Sequence, residues 1–349
     1  MPLQMYHLIA FAVSTLVVLG STPIVKHIGL KSGKVDNPNG RKVHSRPMVR
    51  LGGVSIFLGT LTALLIVWWA GGFGILPPHK EYEVWGVTIG GLAFFAIGLA
   101  DDLFSLSPFS RLFMQVVVAL GAWQMGVQIN FLSIPFMGLV TLPDWISIPI
   151  TILWLVGMVN AINWIDGLDG LAAGVCGIAA VVMLIVSLFM DQSAAALIAA
   201  ALAGGALGFL RYNFNPAQIF MGDGGAYFMG FTLAGVGVIG LVKTTAVTAV
   251  LLPYLILAVP LLDMSAVILD RLLNGRSPFI ADKRHLHHRL LQAGLSHRLT
   301  VLFIYALTLW VGSLALAFSG IPSGYGYAAG ATVLLIYTIW KAKQQTAKS

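Results

Sequence analysis

Asp101 and Asp102 stand side by side in GLADD (98–102). Asn160, Asn163, Asp166 and Asp169 recur at a spacing of three in NAINWIDGLDG, and Asp223 sits between glycines in MGDGG. All of these polar groups interrupt sequence that is otherwise apolar. Adjacent carboxylates do not ionise together without a cation or an Arg or Lys beside them. Residues three apart are neighbours on a helix surface, so the Asn and Asp series lines up amide and carboxyl groups, with Gly167 and Gly170 loosening the backbone where it ends. Glycines around Asp223 make a loop in which backbone amides can approach an anion. Oxygen donors favour a hard cation such as Mg²⁺ or Mn²⁺ over zinc, and the single cysteine, Cys176, excludes a disulfide framework and reads as a packing residue.

A basic counterpart lies further on. RLLNGRSPFIADKRHLHHRLLQAGLSHR (271–298) carries Arg271, Arg276, Lys283, Arg284, Arg289 and Arg298 together with His285, His287, His288 and His297. Guanidinium groups make forked contacts with phosphate oxygens, and imidazoles in a row of arginines read as hydrogen-bond donors, with a histidine metal site as the other reading. VDNPNGRKVHSRPMVRLGG (35–53) repeats the theme with Arg41, Lys42, His44, Arg46 and Arg50, and reads both as a topology signal and as phosphate contact. An acidic, cation-ready face opposite basic loops describes phosphoryl transfer, in which charge on a diphosphate must be offset.

The elements that must position these groups are membrane helices. The 349 residues are 58% hydrophobic and 9% charged, with mean hydropathy +0.89, which is far from a soluble domain. Apolar spans occur near 5–25, 52–70, 84–100, 111–127, 146–164, 171–190, 194–210, 225–242, 246–269, 300–318 and 325–340. The expected fold is therefore an all-α polytopic bundle of about eleven transmembrane helices in a single membrane domain, residues 1–349, with basic cytoplasmic loops at 26–50 and 271–298. No Lys or Arg precedes the first span, which reads as an anchored helix with its N-terminus outside; the odd count places the C-terminus inside. That arrangement puts 18 of the 20 Lys and Arg residues on the cytoplasmic side, as the positive-inside rule requires. Asp101, Asp102, Asp166, Asp169, Asp223 and, toward the inner end of the ninth span, Asp263 and Asp270 fall on the same side. A transporter would also show intramembrane acids and glycine-broken spans, but its acids would gather at the midplane and its spans would pair by inversion. A bundle of this kind can also form a homodimer through an apolar face.

DNPNGRKVHSRP…RLGG, GLADD, NAINWIDGLDGLAAG, the NP…MGDGG segment and DKRHLHHRLL, in this order across residues 35–298, resemble the polyprenyl-phosphate N-acetylhexosamine-1-phosphate transferase family. The HLHH string and its preceding ADKR resemble the branch that transfers GlcNAc-1-phosphate; the phospho-MurNAc-pentapeptide branch tends to carry a histidine triplet there. The resemblance implies a bundle in the inner (plasma) membrane with a cytoplasmic site that joins a sugar phosphate from UDP-GlcNAc to undecaprenyl phosphate, with Mg²⁺ or Mn²⁺, releasing UMP. It also implies roles. Asp223 is the chief metal ligand, Asp101 and Asp102 the pair near the acceptor phosphate, and Asn163 and Asp166 face the diphosphate. Asp169 supports the nucleotide region, His285, His287 and His288 grip the donor with Arg289 nearby, and Arg41, His44 and Arg46 contact substrate. Eukaryotic relatives lack an acid at the Asp166 position, which favours direct attack by the lipid phosphate over a covalent aspartyl intermediate.

Overall fold

The computed structural model describes residues 3–33, 35–36, 47–134, 138–241, 251–277 and 284–346. Arg41, His44 and Arg46 lie outside them, as do Lys42 and Lys283. The described residues form α1 (Leu3–Lys31), a short antiparallel pair β1 (Val35–Asp36) and β2 (Met48–Val49), α2 (Gly52–Trp69), α3 (Pro78–Phe104) and α4 (Pro108–Gln124). A second antiparallel pair, β3 (Phe131–Ile134) and β4 (Gly138–Thr141), precedes α5 (Asp144–Ile165), α6 (Leu171–Phe189), α7 (Ser193–Asn213) and α8 (Gly222–Val236). Next come α9 (Leu252–Ile256), α10 (Ala258–Leu273), α11 (Leu286–Gln292), α12 (His297–Phe318) and α13 (Gly324–Thr346).

Seven of these helices, α1, α2, α3, α5, α6, α7 and α12, are long and apolar enough to cross a bilayer. The chain is a polytopic membrane protein, its described residues helical apart from the two short strand pairs and the connections. The other four apolar segments of the sequence also fall on helix within their described residues. However, α4, α8 and α10 run only 17, 15 and 16 residues, and α13 is diluted by glycine, tyrosine and terminal lysines. The stretch 271–298 is not loop throughout, since α10 reaches Leu273 and α11 carries the histidines.

Position in the bundle follows from composition. Every residue of α8 is buried except Asp223, as expected of a helix that is apolar on all sides. It packs against α2, α3, α5 and α7, with Phe231 stacked on Phe94 at 4.7 Å. By contrast, α1 leaves Leu8, Leu16, Ile24 and Ile28 exposed, as a helix facing lipid would. Cys176 is buried and free.

Two local devices bring α8 close. Gly53 and Gly225 meet backbone to backbone, with no room for a Cβ on either. Gly222 has φ +76°, and a side chain there would strike the Arg50 carbonyl. Between them, Gly52 and Gly53 donate to the carbonyls of Phe220 and Met221 at 2.9 and 2.7 Å, stitching RLGG to MGDGG. The first two residues of α2 are thus fixed to the two residues that lead into α8 before any side chain is considered.

Candidate active site

The sequence-adjacent acids of α3 and the lone acid of α8 converge at one end of the bundle. Asp223, in the first turn of α8, accepts a hydrogen bond from Asn163 Nδ2 at 3.0 Å, and Asn163 lies in the last turn of α5. Arg50 Nη2 stands 3.4 Å from one Asp223 oxygen, and Arg111 Nη1 is 3.8 Å from the other. Asp102 Oδ2 accepts from the Gly224 amide at 3.0 Å, so the acid of α3 is bonded to the helix start that carries Asp223. Asp101 pairs with Arg111, the same arginine that approaches Asp223, and accepts from Leu106 N at 2.7 Å. Burial raises the Asp223 carboxyl above its ordinary range, with Asp101 and Asp102 adding to the effect and Arg50 and Asn163 opposing it. Asp166 follows Asn163 as the last, non-helical residue of that turn. Burial raises its carboxyl to about 7, helped by Asp223, Asp102 and Asp169 and opposed by Arg50.

Asp169 occupies a different environment although it is only three residues further on. Its Oδ2 accepts from Asn215 Nδ2 and from the Ala217 amide, both at 3.0 Å, and its own amide donates to His297 Nε2 at 3.0 Å. The next amide, Gly170, donates to Asn213 Oδ1 at 3.1 Å, and Tyr305 Oη donates to the Gly170 carbonyl. Asp169 therefore ties the α5–α6 turn to the segment leading into α8. Asn160 likewise bonds sideways, to Gln115 of α4 at 2.9 Å, which is helix-to-helix packing.

The histidines form a ladder at α11. His285 and His287 stack at 5.8 Å with a 9° interplanar angle, and His287 and His288 lie 4.2 Å apart. His287 is 2% exposed and packs against Gly167 of the α5–α6 turn. Burial, reinforced by His288 and His285, lowers its pKa to about 3, so the ring is neutral at working pH. His285 meets Trp164 edge-on at 5.6 Å, next to Asn163. Arg289 faces away from this ladder and lines a cavity of about 640 Å³ between α10 and α12, with Asp270, Arg284 and Trp310. The structure thus brings Asp102, Asn163, Asp166 and Asp223 to one place and His285, His287 and His288 to its flank, and it separates Asp169 and Arg289 from both.

The donor set can be tested against a divalent cation. Among the described residues Asp102 Oδ1 is buried without a hydrogen bond, and Arg50 Nε stands 3.7 Å from it. Among the described residues no three acids, histidines or cysteines form a ready-made cage. Mg²⁺ usually takes one or two carboxylates and completes its shell with water and substrate phosphate, so an open pair such as Asp223 and Asp102 fits it. Of the two arginines that hold these acids, Arg50 reads from sequence as both topology signal and phosphate contact, and Arg111 only as a cytoplasmic charge. The signal for Arg111 was a guanidinium at the start of an apolar span. Asn215, which donates to Asp169, belongs to the NP…MGDGG segment, whereas Asn213, which accepts from the Gly170 amide, gave no signal beyond polarity.

A family model described as glycosyl transferase family 4 matches residues 84–241. A probable undecaprenyl-phosphate N-acetylglucosaminyl 1-phosphate transferase of Bacillus subtilis (strain 168) is 37% identical over 332 residues, covering 95% of this chain and 86% of that protein. A decaprenyl-phosphate N-acetylglucosaminephosphotransferase of Mycobacterium tuberculosis (strain ATCC 25618 / H37Rv) is 37% identical over 340 residues, 90% of this chain and 82% of that one. An undecaprenyl-phosphate alpha-N-acetylglucosaminyl 1-phosphate transferase of Pasteurella multocida (strain Pm70) is 32% identical over 320 residues, 88% and 85% of the two chains. With near full-length likeness added to an acid cluster held by arginines at one end of a membrane bundle, the chain belongs to the polyprenyl-phosphate N-acetylhexosamine-1-phosphate transferases, in the N-acetylglucosaminyl 1-phosphate branch, and is a membrane phosphotransferase.

Proposed function

We propose that the protein transfers GlcNAc-1-phosphate from UDP-GlcNAc to undecaprenyl phosphate, giving undecaprenyl-diphosphate-GlcNAc and UMP and so starting a cell-envelope polysaccharide. The observation that carries this reading is the convergence of Asp223, Asp102, Asn163, Arg50 and Arg111 on one point. An oxygen of the lipid phosphate attacks the β-phosphorus of the donor, the bond from that phosphorus to the bridging oxygen breaks, and UMP leaves with the electron pair. The acceptor already carries an anionic oxygen at neutral pH and needs little help from a base.

Asp223, with the free oxygen of Asp102, would hold Mg²⁺ or Mn²⁺. When bound, the cation supplies charge neutralisation on the diphosphate. Arg50 and Arg111 offset the acids and add positive charge where phosphate oxygens gather. Asn163 holds the Asp223 carboxylate in orientation through its amide. The histidine ladder of α11 flanks the nucleotide sugar, and Arg41, His44 and Arg46 contact substrate from the first basic loop. We place the site at the cytoplasmic face of the inner membrane, in a bundle of eleven spans with the N-terminus outside and the C-terminus inside; the one-sided distribution of Lys and Arg supports this.

The test is UMP release by detergent-purified protein given undecaprenyl phosphate, UDP-GlcNAc and Mg²⁺, with EDTA and UDP-MurNAc-pentapeptide in parallel. Release that needs both metal and UDP-GlcNAc is expected. Release only with the pentapeptide donor would move the protein to the sister branch.

A further inference from the structure

Asp263, an acid of α10, is absorbed by none of the roles above, yet it makes the two contacts that fix the start of α11. Its Oδ1 accepts from the Leu286 amide at 2.7 Å, and its Oδ2 lies 2.9 Å from His285 Nδ1. Both side chains are nearly closed to solvent, at 6% for Asp263 and 9% for His285. His285, at the N-cap of the helix that carries the histidines, makes no side-chain cap hydrogen bond, and a carboxylate from a different helix satisfies the first free amide. A carboxylate only accepts hydrogen bonds. With one oxygen taken by Leu286, the other requires that His285 carry its proton on Nδ1.

His285 in turn meets the edge of Trp164 at 5.6 Å, and Arg271 of α10 covers the same indole at 5.2 Å. Trp164 directly follows Asn163, whose amide reaches Asp223. A continuous chain of contacts therefore runs from Asp263 through His285 and Trp164 to the acid cluster, and through the 5.8 Å stack of His285 on His287 to the rest of the ladder.

We propose that Asp263 is a positioning residue for the nucleotide-sugar site, setting the tautomer and ring plane of His285 and anchoring the first turn of α11 against Trp164. This rests on the reading that the histidine ladder meets the UDP-sugar. An arrangement in which a buried carboxylate orients a histidine leaves Nε2 as the nitrogen that addresses a ligand, and the carboxylate governs which proton it presents.

Asp263→Asn isolates this role. The amide oxygen can still accept from Leu286, whereas the amide nitrogen faces Nδ1 and forces the opposite tautomer. The KM for UDP-GlcNAc is expected to rise about tenfold in D263N, as it does when the partner orienting a ligand-binding histidine is lost. The KM for undecaprenyl phosphate should stay as in wild type, with kcat changed less than the donor KM. His285→Ala should give a similar donor defect, and D263N/H285A should be no worse than H285A alone, because the carboxylate acts through the ring. Additive defects, or an unchanged donor KM in folded D263N, would overturn the proposal.

If D263N does not fold, wild-type protein labelled with ¹⁵N-histidine gives the same decision. A signal protonated at Nδ1 that disappears in His285→Gln is expected, and a neutral Nε2–H ring at this position would refute the assignment. The tautomer does not depend on turnover. Wild-type protein that releases no UMP from UDP-GlcNAc would therefore fail the functional reading while leaving the Asp263–His285 pairing standing.

Discussion

Asp223 and Asp169 flank the same turn, and their surroundings are opposite. Asp169 is answered by an amide side chain and a backbone amide, and its own N–H finds His297. Asp223 has one amide donor, two guanidinium groups at 3.4 Å or more, and acidic neighbours that push its proton affinity up. Two neutral donors on Oδ2 hold the Asp169 carboxylate within its turn, whereas Asp223 stands in a half-compensated acidic cluster, the setting in which functional carboxylates are found. We read the contrast as structure on one side of the turn and chemistry on the other.

The sharpest way to break that contrast is Asp223→Asn. Asparagine keeps the shape and still accepts from Asn163, so the thermal midpoint should hold. Turnover should fall by a hundredfold or more, about the scale of losing one well-placed electrostatic contact in a phosphoryl-transfer site. UMP release at saturating Mg²⁺ measures it. Near-normal turnover would put Asp223 in the scaffold class with Asp169.

Asp169→Ala should show the reverse pattern. Two donors, Asn215 Nδ2 and Ala217 N, lose their acceptor, at about 2 kcal/mol for groups left partly unsatisfied. Thermal unfolding in detergent should move down, while kcat of the protein that remains folded stays within a few-fold of wild type. A variant with full stability and no turnover would transfer Asp169 to the catalytic side.

Much of this division was readable in the sequence, and part was not. The acids, their order and the apolar spans around them were visible because burying a carboxylate in such sequence demands a reason. Which acid is scaffold was not visible, because Asn213, Asn215 and His297 reach the turn from 43 to 128 residues away. The same holds for Asp263, which looked like one more acid toward a helix end until α11 folded back onto it. Asn160 continues the spacing of three and yet serves only packing with Gln115, since a spacing says which residues are neighbours on a helix and not which neighbour helix covers them. Arg289 shares a string with the histidines but points into the α10–α12 cavity, because residues two apart lie on opposite sides of a helix.

Asp166 gives a pH-dependent handle on the acidic side. Its carboxyl is raised from 3.8 to about 7, so the folded state binds a proton that the unfolded state releases. Stability contributed by the protonated form is complete below about pH 4 and is lost as pH rises toward 7, after which the difference is constant. Asp166→Asn removes that ionisation. In EDTA, the variant should therefore gain in thermal midpoint over wild type as pH goes from 4 to 7, with little difference at pH 4. Parallel curves at all pH values would mean that Asp166 is already ionised in the folded protein.

The smallest expected effect probes where the two sides meet. Gly167 has an ordinary backbone conformation, so alanine imposes no backbone strain, but its Cβ would press on His287 Nε2. His287 is 2% exposed and stacked between His285 and His288, so it cannot yield alone, and the ladder must shift to relieve the overlap of that Cβ with Nε2. Gly167→Ala should raise the donor KM several-fold and leave the acceptor KM and the thermal midpoint nearly unchanged, since the acid cluster is not touched. In a His287→Ala background the added methyl has room, and the two substitutions together should do no more than His287→Ala alone. Additivity would mean that Gly167 acts on the Asp166 turn instead of on the histidines, and would locate the boundary between the acidic and histidine sides on the far side of that glycine.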